Sequence, residues 1–285
     1  MAVVLHCAAC TEWARQPTLR GSIDAEFTDQ VLEQIRAEFP EATGELRREE
    51  RVSFVAADIT ELDAPRVAQI NGEKMIYAAS MPKIAILLSA FVEIDRGVLD
   101  LDDDLLAKLT RMIRNSSNQA ATEVYEKVGP ERIAEILQSE PHRLYDPDYG
   151  GGLWVGRGFG GGETWRRDPE HGISHGASAM QVARFYYLLK TGRLVSAAST
   201  ERMLEILSRP EISHKFVAGL KYENADAAVF RKSGTWREFH ADGGIVVDPH
   251  YSYILVAIVK DEGGASILER LVGAIDEAVK RRHVD

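Results

Sequence analysis

Between Met81 and Ile94 the chain reads MPKIAILLSAFVEI, a run that is apolar on nearly every side of a helix. A surface helix keeps one polar face, so this segment must be a helix enclosed by other elements at the centre of the protein. It is too short to cross a membrane, and no transmembrane helix is read elsewhere. A central helix needs covering layers. The 285 residues, 45% hydrophobic and 27% charged, supply them without a disulfide or metal scaffold. Lys plus Arg (34) against Asp plus Glu (44) leaves a net charge of −10, which argues against nucleic acid as the main partner.

The covering elements follow from periodicity. Val31, Leu32, Ile35 and Phe39 lie at helical spacing in Thr28–Phe39. Arg51–Ile59 and Arg66–Asn71 read as adjacent strands separated by Pro65 and acidic turn residues. Helical patterns then occupy 104–113, 119–128, 130–137, 179–190 and 199–207. Three antiparallel strands are expected at 227–232, 239–247 and 251–259, and a last helix at 265–281. The fold class is therefore α/β (α+β): an antiparallel sheet built from both termini and flanked by helices, with an inserted all-helical lobe. The organisation expected is an extension at 1–27 and one domain at 28–285, its α/β lobe at 28–75 and 208–285 and its helical lobe at 76–207.

The buried helix is headed by Ser80-Met81-Pro82-Lys83. Ser and Lys three apart share one helix face, which puts the amine near the hydroxyl. Burial and a helix N-terminus both disfavour an ammonium, so Lys83 could take the proton from Ser80. Ser116-Ser117-Asn118 lies between two helical patterns. One of these residues is expected to cap the following helix; in a functional reading Ser116 relays a proton and Asn118 holds a substrate carbonyl and the lysine. Lys232-Ser233-Gly234 is strand-borne. Gly234 would let a substrate backbone approach, Lys232 and Ser233 could bind a carboxylate, and the Thr235 N–H could donate to an oxyanion. Lys190-Thr191-Gly192 has the same signature but ends a helix, where a cation followed by glycine is the usual stop.

SxxK, SxN and K[ST]G, in that order and in those contexts, resemble the superfamily of class A β-lactamases and penicillin-binding proteins. The resemblance implies a serine hydrolase acting through an acyl-enzyme on Ser80, with Lys83 as base and Ser116 as relay. Asn118, Lys232, Ser233, Gly234 and Thr235 would bind substrate. It implies no cofactor and no metal, and a small-molecule or peptide substrate bearing a carboxylate. A D-alanyl-D-alanine carboxypeptidase or transpeptidase is the second reading within the class. Two departures stand out. Ser117 occupies the place where Asp is usual, and Ser80 to Ser116 is a short interval. Class A enzymes also use a loop glutamate for deacylation. Only Glu163 falls near that position, in surroundings (GGETWRRDP) that do not otherwise match, and it can equally be a solvated loop carboxylate.

Other patterns compete. Gly156, Gly158 and Gly161 satisfy GxGxxG within 149–162, but without the strand and helix that a dinucleotide site needs. A tightly turning loop bordering a site is preferred. Gly172-Ile173-Ser174-His175-Gly176 satisfies GxSxG, the α/β-hydrolase nucleophile elbow, yet the charged, proline-containing segment before it does not read as a buried strand. Cys7 and Cys10 form a single CxxC, which reads as two ordinary thiols, a redox pair or half of a shared metal site. A ligand-binding module without catalysis is the alternative of another class. No signal peptide is read at the N-terminus, so the expected location is cytoplasmic.

Overall fold

The computed structural model describes residues 17–38, 51–161 and 163–284; Cys7 and Cys10 lie outside the described residues. In chain order the helices are α1 (Ala25–Glu38), α2 (Lys83–Asp95), α3 (Asp103–Arg114), α4 (Asn118–Val128), α5 (Pro130–Gln138), α6 (Ala179–Lys190), α7 (Ala197–Leu207), α8 (Phe216–Glu223) and α9 (Gly264–His283). The strands are β1 (Val52–Asp58), β2 (Arg66–Ile70), β3 (Ile76–Tyr77), β4 (Tyr145–Asp146), β5 (Gly151–Gly152), β6 (Trp154–Val155), β7 (His175–Ala177), β8 (Ala228–Trp236), β9 (Phe239–Val247) and β10 (Ser252–Lys260).

Five strands form one antiparallel sheet in the order β2-β1-β10-β9-β8, so strands from both ends of the chain meet where β1 pairs with β10. Alternation sends successive side chains to opposite faces. Phe54, Ala56 and Leu255 pack into one core with α1, α8 and α9, while Val55, Ala57 and Val256 pack into a second core with α2 and α6. Every residue of β1 after Val52 is buried, as a strand covered on both faces requires.

Helix α2 runs through the larger core with Ile84 to Leu88, Ala90 and Phe91 fully enclosed. Its buried Glu93 is kept charged by Arg96 and Arg132, each 2.8 Å away, which hold its carboxyl below the usual range against the cost of burial. Helix α6 packs on β1, β9 and β10, so the segment assigned to a separate helical lobe also covers the sheet. Residues 17–27 are likewise part of the body. Leu19 is buried, Asp24 caps α1 by accepting from the Phe27 N–H at 2.8 Å, and Arg20 pairs with Glu73 at 2.6 Å. Helix α8 was not expected from sequence. Gly192 adopts φ +67 after α6, confirming Lys190-Thr191-Gly192 as a helix stop. Among the described residues no helix is long and apolar enough to cross a membrane.

Candidate active site

The head of α2, the α3–α4 junction and strand β8 converge on one place. Ser80 sits just before α2, its carbonyl accepting from the Lys83 N–H, with Pro82 at the N-cap. Proline suits this end because its missing N–H would have no intrahelical partner there. The turn into α2 is tight, with Ala79 at φ +50. Lys83 is fully buried. Its Nζ donates to Asn118 Oδ1 at 2.8 Å, to the Ser116 carbonyl at 2.6 Å and to Ser116 Oγ at 3.3 Å. The Phe159 ring lies over the amine, 4.7 Å from Nζ to centroid. Burial lowers the Lys83 pKa to about 7, so near neutral pH a large share of the amine is free base.

Ser116 holds φ +57 between α3 and α4, a left-handed turn that aims its side chain and carbonyl at α2. Ser117 is the capping residue, its Oγ accepting from the Ala120 N–H at 3.2 Å. From the other side Lys232, 1% exposed, donates to Ser116 Oγ at 2.9 Å and to the Ser233 carbonyl at 2.6 Å. Burial, then the neighbouring Lys83, push the Lys232 pKa well down. Two ammonium groups on one hydroxyl would repel, and no carboxylate among the described residues hydrogen-bonds either amine. The Ser116 oxygen can accept from both and keep its own proton to donate.

Gly234 has a different role from the one expected. A Cβ there would sit 2.8 Å from the Ser80 nitrogen and 2.9 Å from that of Met81, and closer still to the Ala78 carbonyl. The backbone that approaches it is the protein's own, which brings β8 against the turn carrying Ser80. Ser233 is buried with Oγ 3.2 Å from His214 Nε2. Exposed Thr235 accepts at Oγ1 from Lys215 at 2.9 Å.

Ser80, Asn118 and Thr235 line a cavity of ≈ 300 Å³ together with Tyr77, Phe159 and His175. Lys232 and Ser233 do not line it, and neither does Glu163, which is exposed. The position of Glu163 therefore does not suit the deacylating role expected for it. Ser80 Oγ makes no hydrogen bond among the described residues, so the pair expected between it and Lys83 is not closed in the free enzyme. Among the described residues no His/Cys/Asp/Glu group has metal-ligand geometry.

Sequence reasoning missed Tyr77, Arg157, Phe159, His175 and Trp236. Tyr77, His175 and Trp236 lie outside the glycine-rich segment, and only Arg157 and Phe159 fall within it, in a loop read as bordering a site. That loop is anchored: Thr122 Oγ1 donates to the Phe159 carbonyl at 2.9 Å and accepts from its N–H at 2.8 Å. Gly156 leaves no room for a side chain against the Arg166 carbonyl. Burial lowers the His175 pKa to about 4, so its ring is neutral. Its Nε2 lies 3.1 Å from the Arg157 carbonyl and its Nδ1 3.3 Å from Ser174 Oγ. A neutral ring then donates at Nε2 and accepts the Ser174 proton at Nδ1. Ser174 precedes the short strand β7 instead of ending a strand before a helix, so this GxSxG is not a nucleophile elbow.

A buried lysine at the head of a helix, a serine in the turn just before it, a bridging serine and a K[ST]G strand on this fold define an active-site serine hydrolase. Residues 34–108 and 104–281 match the model of the β-lactamase enzyme family, Beta-lactamase2, and the chain belongs to that family. Among solved structures it is similar to PBP-A (TM-score 0.68, 18% identity, 93% of this chain and 99% of that one). It is also similar to a β-lactamase from Sphaerobacter thermophilus DSM 20745 (TM-score 0.66, 18% identity, 89% and 96%). A variant of the class A β-lactamase of the last common ancestor of Gram-negative bacteria is comparable (TM-score 0.67, 18% identity, 91% and 100%). Among curated proteins none matches.

Proposed function

We propose that the chain cleaves an amide or ester through an acyl-enzyme on Ser80, and that this adduct is slow to hydrolyse. The observation that carries the reading is the Ser116 hydroxyl bridging two buried amines beside Ser80. Neutral Lys83 takes the Ser80 proton as Oγ bonds to the substrate carbonyl carbon. The N–H groups of Ser80 and Thr235 receive the oxyanion. As the tetrahedral adduct collapses, the bond to the leaving nitrogen or oxygen breaks. Ser116 gives that atom its proton and regains one from Lys83. The open Ser80–Lys83 pair is compatible with this, because catalytic hydrogen bonds in unliganded enzymes are often long and tighten on substrate.

Hydrolysis of the adduct needs a base for water. Among the described residues no Asp or Glu lines the cavity, and a phenyl ring, that of Phe159, covers Lys83. A persistent adduct is the consequence, and Glu163 is given no part in its breakdown. One neighbour, a point mutant of PBP-A, is known as an acyl-enzyme complex with penicillin G. Similar covalent capture is the expectation for this chain.

The test is labelling with a fluorescent penicillin and a fluorophosphonate in wild type, Ser80→Ala and Ser174→Ala, with mass spectrometry of the labelled peptide. The reading expects a lasting adduct on the Ser80 peptide and none in Ser80→Ala. Labelling lost only in Ser174→Ala would move the nucleophile to the GxSxG segment. No labelling by either probe would leave a ligand-binding module on the same fold.

A further inference from the structure

The substrate carboxylate expected from sequence was given to Lys232, but that amine is enclosed and committed to Ser116 and Ser233. A different cation faces the open space. Arg157 lines the Ser80 cavity and also a second cavity of ≈ 350 Å³, and the two share Tyr77 and Trp236 as walls. They therefore adjoin along Tyr77, Arg157 and Trp236. The Nε of the Arg157 guanidinium is buried and has no hydrogen-bond partner among the described residues. Among the described residues no carboxylate pairs with the group, although the chain carries a net charge of −10.

A buried guanidinium nitrogen without an acceptor is costly, and such groups are normally satisfied by a carboxylate in the same plane. The loop is built to hold it there. His175 Nε2 meets the Arg157 carbonyl at 3.1 Å, and Arg157 bridges to Thr164 across the loop. The second cavity adds Arg167 and Phe239, so its lining is basic and aromatic. Tyr77 and Phe239 meet edge to face at 5.2 Å, forming a rigid apolar wall.

Building on the acyl-enzyme reading, we infer that Arg157 is a specificity-determining residue: it binds an anionic group, a carboxylate by preference, on a substrate arm that reaches past Ser80 along the Tyr77–Trp236 wall. The substrate class is thus an amide or ester whose arm ends in a carboxylate, held by the guanidinium while the carbonyl lies at Ser80.

The experiment compares matched esters in wild type, Arg157→Gln and Arg157→Lys. One pair is p-nitrophenyl hexanoate and the mono-p-nitrophenyl ester of adipic acid, with the carboxylate on the acyl arm. The other is phenyl acetate and its 4-carboxymethyl derivative, with the carboxylate on the leaving arm. Within at least one pair, wild type should favour the anionic member about ten- to hundred-fold in kcat/KM, the range of one charged hydrogen bond. The ratio should fall to near one in Arg157→Gln, remain partly in Arg157→Lys, and weaken with salt. Because each ratio is internal to one protein, partial misfolding does not imitate the result. No preference in wild type for either pair, or an equal preference in Arg157→Gln, overturns the inference.

A second readout separates the two readings. Tryptophan fluorescence of Ser80→Ala protein titrated with adipic monoamide and with hexanamide reports binding without turnover. Tighter binding of the anion that Arg157→Gln abolishes, together with ester turnover surviving in Ser80→Ala, would keep Arg157 and remove the acyl-enzyme. Equal binding of the two amides, with labelling intact at Ser80, would do the reverse.

Discussion

Lys83 and Lys232 share one hydrogen-bond partner: the Ser116 hydroxyl lies 3.3 Å from the first amine and 2.9 Å from the second. The two lysines come from the central helix and from an edge strand near the other end of the chain. Only one small hydroxyl separates them, so a proton delivered to one is felt by the other.

The first prediction concerns Lys83 itself. With its pKa at about 7, the rate of Ser80 acylation should rise through pH 7 as the amine loses its proton. Lys83→Met should slow acylation by about 10²- to 10⁴-fold, the usual loss with a general base. Stability should rise with pH as well, over a higher window. Between about 7 and the ordinary value of 10.5 the unfolded chain binds the extra proton, so wild-type stability climbs with pH across that window. Relative to Lys83→Met, wild type should thus be at its weakest below pH 7 and recover toward pH 10.5. Urea titrations at several pH values check the slope; a gap that does not change with pH would mean the amine is not desolvated.

Gly234 gives a sharper steric prediction. A methyl group there would press on the nitrogens of Ser80 and Met81 and on the Ala78 carbonyl, all of them backbone atoms that cannot rotate away. Gly234→Ala should cost about 1–3 kcal/mol of stability and displace β8 from the head of α2. Loss of penicillin labelling larger than the melting shift explains is the outcome to look for. Full labelling with an unchanged melting temperature would mean that the contact is slack.

Glu163 and Phe159 should behave oppositely. Glu163 is exposed and outside the cavity lining, so Glu163→Gln should leave the lifetime of the Ser80 adduct unchanged in mass spectrometry. Phe159→Ala would uncover Lys83 to water. Its pKa should then move back toward 10.5, because desolvation is what lowers it, and the rise of acylation with pH should shift to a more alkaline range. A shorter adduct in Glu163→Gln, or an unmoved profile in Phe159→Ala, would contradict these assignments.

Much of this was legible in the sequence because it is local. The buried run around Ile86 to Leu88 and the short apolar stretch through Val55, Ala56 and Ala57 are properties of neighbouring residues. Ser117 as a cap and Gly192 as a helix stop are local too. What was hidden depends on long-range packing. Gly234 was read as a place for substrate because nothing in KSG says that Ala78 and Ser80 will press on it. The enclosure of the Lys232 amine by Ser116 and Ser233, away from the cavity lining, was hidden for a similar reason: only the fold shows it. Helix α8 was missed since it is short, FVAGLKYE, with Gly219 inside it, and is stabilised by packing on α9. The role of its neighbour Lys215 could not be read at all.

Lys215 carries the last prediction. It is buried at the start of α8, and its Nζ donates to the Gly234 carbonyl at 2.6 Å, to Thr235 Oγ1 at 2.9 Å and to the Ala241 carbonyl at 3.1 Å. Three acceptors match the three donors of an ammonium. Burial lowers the pKa to about 8, against the pull of Asp242, so the proton is held at neutral pH and lost just above it. A neutral amine has two donors and a lone pair, which must then face one of the three oxygens. The grip on the Gly234–Thr235 segment, which carries one of the proposed oxyanion donors, should loosen accordingly. Acylation, rising through pH 7 with Lys83, should therefore turn over above about pH 8 and give a bell-shaped profile. Lys215→Arg keeps the charge and should remove the alkaline limb even if a bulkier side chain lowers the plateau. Lys215→Met should lower the rate across the whole range and cost about 1–3 kcal/mol of stability for the acceptors left unpaired. An alkaline limb that persists unchanged in Lys215→Arg would assign it to another group.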